Sequence, residues 1–189
     1  LHPIRCFVEI FHRYNNFSII VSMKNFKETL HPIRCFVFDV DGVLTDNRVV
    51  VMPNELHRIM NIRDGFALKE AVDTGYHVII ISGGKSESVR TRLANLGIKD
   101  IYLGVKDKTV QLDEVKKMYG LKTDEILYMG DDIPDYYVMQ QVGVPTCPND
   151  AVHEIRELCT YVSPFNGGGG CVRDVIEQTL KLHGKWPVK

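Results

Sequence analysis

Two aspartates, Asp39 and Asp41, stand two residues apart in the stretch FDVDGVLTD, directly behind an apolar run. Alternate residues of an extended chain face the same side. Both carboxylates can therefore reach one ligand, one attacking phosphorus while the other handles a proton. A carboxylate nucleophile forms an aspartyl-phosphate, which splits a hard displacement into two easier ones. Further along, ISGG brings Ser82, Gly83 and Gly84, whose hydroxyl and backbone donors suit a phosphate near a helix start. Lys106, Asp107 and Lys108 follow a third apolar run; Lys108 offers a fixed positive charge, with Lys106 as its rival. GDDIPD then supplies Asp131, Asp132 and Asp135. Carboxylates crowded without compensation repel one another by several kcal/mol as an order of magnitude. A divalent cation is the simplest remedy. Oxygen donors with no neighbouring His or Cys favour Mg²⁺ before Ca²⁺. Asp132 and Asp135 have a plainer reading too, as caps of the helix that follows.

The elements that must gather these residues are legible in the pattern. Ile33–Phe38, Val78–Ile81, Ile101–Leu103 and Ile126–Met129 are short apolar runs, and Val144–Thr146 is a weaker fifth. Runs apolar throughout suit strands covered on both faces. Helical patterns separate them: Asp64 as cap of a helix through Ala71 ended at Gly75, a helix presenting Val89, Leu93 and Leu96, then Lys108–Tyr119 closed by Gly120. A short helix around Tyr136–Gln141, another running from an Asn149 cap to Leu158, and a last one lined by Val172, Val175, Ile176 and Leu180 complete the series. Asn47–Val51 and Leu56–Ile62 flank a Met-Pro-Asn-Glu turn and read as a hairpin. The expected fold is α/β, a doubly wound, Rossmann-like parallel sheet with a small hairpin insertion at about 47–62 and no large cap domain. Ligands of such sheets sit beyond the carboxyl ends of the strands, where these polar residues fall.

The chain has 189 residues, 44% of them hydrophobic, and a formal net charge of −1, which suits one globular domain and argues against a nucleic-acid partner. No apolar run is long enough to span a bilayer, so no membrane role is expected. The five cysteines are scattered and form no CxxC pair, which points to a reducing cytoplasm rather than a disulfide or zinc framework.

DVDGVLTD, IIISGGKS, a lysine after the third strand and YMGDDIPD, in this order, resemble the haloacid dehalogenase superfamily of phosphatases. The small hairpin, NIRDG at Asn61–Gly65 and GGGGCVRD near the end resemble its capless branch of sugar-acid phosphatases, which free Kdo from Kdo 8-phosphate for lipopolysaccharide synthesis. The resemblance implies Asp39 as nucleophile and Mg²⁺ ligand, Asp41 as general acid/base and carbonyl ligand, and Asp131 as third ligand, with Asp132 and Asp135 in support. It implies Ser82, Gly83 and Lys108 around the phosphate. Asn61, Arg63, Asp64 and Gly65 would lie along the substrate, with Lys69 and Arg92 as basic contacts. It also implies a homotetramer in which hairpins and C-terminal tails help cover neighbouring sites. Gly84 and Gly169 stand where many members carry Arg, and Lys69 where Arg is expected. Those departures leave a nonulosonate 9-phosphate as a competing substrate. A non-catalytic oligomerisation module on the same fold is the alternative of a different class, though such descendants commonly lose the aspartates retained here. Gly167–Gly170 reads either as a flexible tether or as a tail closing over a neighbour.

The octapeptide LHPIRCFV occurs at Leu1–Val8 and again at Leu30–Val37. Only the second copy leads into paired aspartates. Residues 1–22 are therefore expected to be an extension without a catalytic part, with residues 23–189 forming the phosphatase domain.

Overall fold

A computed structural model describes residues 25–53 and 56–188 of the chain. Its centre is a six-stranded sheet made of β1 (Cys35–Phe38), β4 (His77–Ser82), β5 (Asp100–Leu103), β6 (Ile126–Met129), β7 (Val144–Cys147) and β8 (Tyr161–Val162). The spatial order is β5-β4-β1-β6-β7-β8, and every pairing is parallel. Alternation along β1 splits the core in two. Phe36 and Phe38 pack on one face with Ile80, Leu127 and Met129; Cys35 and Val37 pack on the other with Ile79, Ile81 and Tyr128. Both layers need cover, which explains why these strands carry no polar face.

Helices α2 (Ile62–Asp73), α3 (Glu87–Ala94) and α7 (Cys171–Leu182) cover the first face; Leu68, Leu93 and Val175 are among the side chains they bury there. Helices α4 (Lys108–Tyr119), α5 (Tyr136–Met139) and α6 (His153–Leu158) cover the second through Leu112, Val115, Val138 and Ile155. A short α1 (Phe26–Thr29) precedes the sheet. The strand order reverses direction at β1, which lies between β4 and β6. That reversal opens a crevice at the carboxyl end of β1. Among the described residues no helix is long and apolar enough to cross a membrane.

The α/β architecture, the small hairpin and the absence of a cap agree with the sequence. The hairpin pairs β2 (Val50–Val51) with β3 (Leu56–His57), antiparallel, and among the described residues an isolated bridge joins Thr45 to Met60 at its base. Two local expectations differ. Asn61, not Asp64, caps α2, its side chain accepting from the Arg63 N–H at 2.8 Å. Asn149 caps no helix: α6 starts after Val152, and the Asn149 amide instead meets Asn166 at 3.1 Å. The first LHPIRCFV copy and the 1–22 extension lie outside the described residues.

Candidate active site

Parallel register delivers the motif residues to one rim. The Asp39 N–H continues the β1–β6 ladder, donating to the Met129 carbonyl at 3.1 Å, so the Asp39 side chain leaves the sheet at a fixed angle. One carboxylate oxygen accepts from the Val40 N–H at 2.7 Å. The other meets Lys108 Nζ at 2.8 Å. Lys108 is the first residue of α4, whose cap Asp107 accepts from the Thr109 N–H at 2.9 Å. Its ammonium also donates to Asp135 at 2.7 Å, and the Tyr128 hydroxyl reaches the same Asp135 oxygen at 2.6 Å. Burial alone would favour neutral lysine, but Asp39 and Asp135 outweigh it and hold the Lys108 proton more firmly than usual. Lys106, the rival, is exposed.

Asp39, Asp131 and Asp135 are all buried and offer oxygens within 4.8 Å of one another. Burial, then the carboxylates of Asp39, Asp135 and Asp132, push Asp131 up to about 7. Burial and Asp135 likewise raise Asp39, against the pull of Lys108. Asp135 keeps one oxygen, Oδ2, buried without a hydrogen-bond partner. Three buried acids against one ammonium leave negative charge to spare, and an oxygen-only donor set fits a hard divalent cation. Gly42, at φ +78, makes the turn after Asp41 in a conformation L side chains rarely adopt, and a Cβ there would collide with the Asp131 carboxylate and the Asn47 amide oxygen.

Ser82 ends β4 and is buried; its Oγ accepts from the Gly84 N–H at 3.2 Å, curling the loop toward α3. Ser82, Gly83 and Gly84 line a cleft of about 320 Å³ with Asp39, Asp41, Lys108 and Asp131. The Asp41 carboxylate lines the same cleft but is not one of the trio. Both its oxygens are taken by Arg58, Nε at 2.5 Å and Nη2 at 3.1 Å. Arg58 stands just past β3 and is not among the residues singled out from sequence; an arginine between His57 and Ile59 carries no local pattern.

Of the remaining predicted residues, Asp132 also lines this cleft and the others go elsewhere. Asp132 is exposed and caps the turn after Asp131, its side chain accepting from the Ile133 N–H at 2.8 Å. The Asn61 amide donates to the Gly168 carbonyl at 3.0 Å. Arg63 lines a separate hollow of about 550 Å³ with Arg173, Gly169 and Gly170. Asp64, expected along the substrate, is instead buried and accepts from the Arg173 N–H at 2.7 Å. It thereby caps α7, whose own cap position is Gly170 and has no side chain to do so. Burial, only partly offset by that hydrogen bond, raises Asp64 to about 6. Gly65 gives room for the Arg92 guanidinium, which a Cβ would approach to 2.7 Å. Lys69, expected as a substrate contact, pairs with Asp73 at 2.8 Å one turn along α2. Within one chain none of Asn61, Arg63, Asp64, Gly65, Lys69 or Arg92 lines the Asp39 cleft; the hairpin carries α2 past it.

The model for haloacid dehalogenase-like hydrolases matches residues 100–176, from β5 into α7. A curated relative, the 3-deoxy-D-manno-octulosonate 8-phosphate phosphatase KdsC of Escherichia coli, is 34% identical over 150 residues, covering 79% of this chain and 80% of that protein. The chain belongs to the haloacid dehalogenase-like hydrolase family, as a phosphatase. Solved structures of these phosphatases superpose closely. The Moraxella catarrhalis 3-deoxy-D-manno-octulosonate 8-phosphate phosphatase, in complex with magnesium, phosphate and KDO, gives a TM-score of 0.80 at 29% identity over 83% of this chain and 91% of that one. The cobalt-bound phosphatase of Haemophilus influenzae gives 0.79 at 30% identity over 82% and 92%.

In this haloacid dehalogenase-like phosphatase the C-terminal glycines are no loose tether. Gly167 is buried, and its N–H donates to Asp150 at 2.8 Å. The Gly168 N–H donates to the Val43 carbonyl at 2.9 Å, and Cys171 Sγ meets the same carbonyl at 3.3 Å. A Cβ on Gly167 would strike the carbonyl of Gly42. The run packs backbone to backbone against the turn that follows Asp41.

Proposed function

We propose that this phosphatase hydrolyses a sugar-acid phosphate, Kdo 8-phosphate, in cytoplasmic lipopolysaccharide precursor synthesis, through an aspartyl-phosphate on Asp39. One observation carries the reading: Asp39, Asp131 and Asp135 are buried together at the end of β1 around a single Lys108. The names of the relatives supply the substrate. The described thiols Cys35, Cys147, Cys159 and Cys171 are all unpaired, in keeping with a reducing compartment.

In this reading an Asp39 oxygen attacks phosphorus. The bond to the sugar oxygen breaks, and that oxygen takes the proton held by Asp41. Water then gives a proton back to Asp41 and attacks the acyl phosphate, returning Asp39 and free phosphate. Lys108, braced by Asp135 and Tyr128, keeps positive charge beside the attacking carboxylate. Ser82 and the glycine loop orient the phosphoryl oxygens. Asp39, Asp131 and the carbonyl of Asp41 would hold Mg²⁺, which when bound offsets repulsion between the carboxylate and the phosphoryl group. The catalytic unit is residues 23–189.

Assembly belongs to the same proposal. Val51, Ile59 and Ile62 are 76%, 72% and 80% exposed, apolar side chains on the hairpin and at the start of α2 that a monomer would leave wet. A homotetramer that covers them also brings neighbouring hairpins and tails toward each cleft. The test is phosphate release from Kdo 8-phosphate, with a nonulosonate 9-phosphate alongside. Turnover is expected with Mg²⁺, to vanish with a chelator, and to fall to background in Asp39→Asn. Full turnover by that variant would remove Asp39 as nucleophile.

A further inference from the structure

The fork of Arg58 on Asp41 poses a chemical problem. Its Nε and Nη2 occupy both carboxylate oxygens, and its Nη1 turns back to the Leu56 carbonyl at 3.3 Å. A carboxylate clasped on both oxygens by a guanidinium can neither carry a proton to a leaving group nor collect one from water. Before Asp41 can act, something must draw Arg58 away.

The surroundings say what. Gly84 leaves the ground beside the fork open: a Cβ there would lie 2.9 Å from Asp41 Oδ2, 3.3 Å from Arg58 Nη2 and 3.6 Å from Ser82 Oγ. The guanidinium thus sits beside the Ser82–Gly84 loop, which lines the Asp39 cleft. A guanidinium prefers a phosphate dianion, which offers more charge and more acceptor oxygens in matching geometry than one carboxylate. The carrier is light as well. Its strands β2 and β3 have two residues each, and among the described residues Thr45–Met60 is the single isolated bridge at the base.

We propose that Arg58 is a charge-exchange residue: it neutralises Asp41 in the empty site and passes to the phosphoryl group of the incoming substrate, releasing Asp41 for proton transfer. This rests on Asp41 as the acid/base of the reading above. The guanidinium is delivered from the hairpin to the edge of the space that Gly84 leaves.

The Mg²⁺-loaded full chain tests this, with Arg58→Gln, Arg58→Lys and the double variant Arg58→Ala/Gly84→Arg. Titration calorimetry with inorganic phosphate is expected to show affinity reduced roughly 10- to 100-fold in Arg58→Gln, the range of a charge-assisted hydrogen bond. The KM for p-nitrophenyl phosphate and for Kdo 8-phosphate should rise by the same factor, while kcat changes little. Lysine, a charge without a fork, should recover part of the loss, and the double variant should recover most of it. An unchanged phosphate affinity in Arg58→Gln overturns the proposal. So does a defect confined to kcat, to the carboxylate-bearing substrate alone, or one that Gly84→Arg leaves in place. Asp39→Asn run in parallel separates the two levels. A dead Asp39→Asn beside a normal Arg58→Gln removes only the role of Arg58, whereas an active Asp39→Asn removes the mechanism beneath it.

Discussion

The rim of the sheet and the hairpin that overhangs it solve opposite problems. At the rim, polar groups go inside: Asp39 is 8% exposed, Lys108 6%, Asp131 5% and Asp135 0%. Each is held by a strand end, a helix start or another charge. On the hairpin, apolar groups stay outside, and one arginine reaches inward to Asp41. The rim is thus pre-organised at a cost in desolvation, which suits groups that must not move during phosphoryl transfer. The hairpin has short paired strands and an exposed apolar surface, which suits recognition and assembly. The two pieces of chain meet at one carboxylate.

The contrast can be broken at its strongest point first. Replacing Lys108 with Met keeps the stem and deletes the charge, leaving Asp39 and Asp135 buried without their cation. In chelator, urea unfolding should show a loss of about 3–5 kcal/mol, typical of a buried ion pair robbed of one partner. Lys69→Met, which breaks the exposed pair with Asp73, should cost less than about 1 kcal/mol. Equal losses would mean that burial at the rim carries no special energetic weight.

A charge on the hairpin should act on assembly rather than on folding. Val51→Asp and Ile59→Asp are expected to lower the mass seen by light scattering toward that of one chain, while the thermal midpoint of the dissociated protein moves little. An unchanged mass would show that these apolar side chains form no interface.

The smallest effect lies between the two regions, at Asp64. Its folded value of about 6 lies above the ordinary 3.8. The native state therefore holds the proton more tightly than the unfolded chain. The stability this provides is complete below about pH 4 and is lost as pH rises through 6. Asp64→Asn keeps an acceptor for the Arg173 N–H and removes the ionisation. The variant should match the wild type near pH 4 and exceed it above pH 6 by up to about 3 kcal/mol. Parallel pH–stability curves would show that Asp64 is not desolvated as its burial implies.

What could be read in the sequence follows the same division. Strands β1 and β6 are buried at every residue, so they appear as unbroken apolar runs with aspartates at their ends. Helix α4 keeps the expected boundaries and closes at Gly120, because that stop signal is local. Strand β8 escaped because its two residues are half-buried and make no run. Asp64 reads as the cap of its own helix but caps α7 through Arg173, 109 residues on, and no local pattern announces that. Arg58 depends on where a hairpin bends back, and neighbouring residues do not encode that. The four glycines read as slack because composition alone cannot tell freedom from close backbone contact.

That close contact bears on the order in which the enzyme becomes competent. Synthesis runs from the amino end, so Asp39 and the turn at Gly42 leave the ribosome long before Gly167 and Gly168, which wedge against that turn. A nascent or prematurely terminated polypeptide has every acidic group it needs yet lacks the keystone that fixes their geometry. The turn beside the nucleophile therefore gains its backbone cover only when the last fifth of the chain has been made.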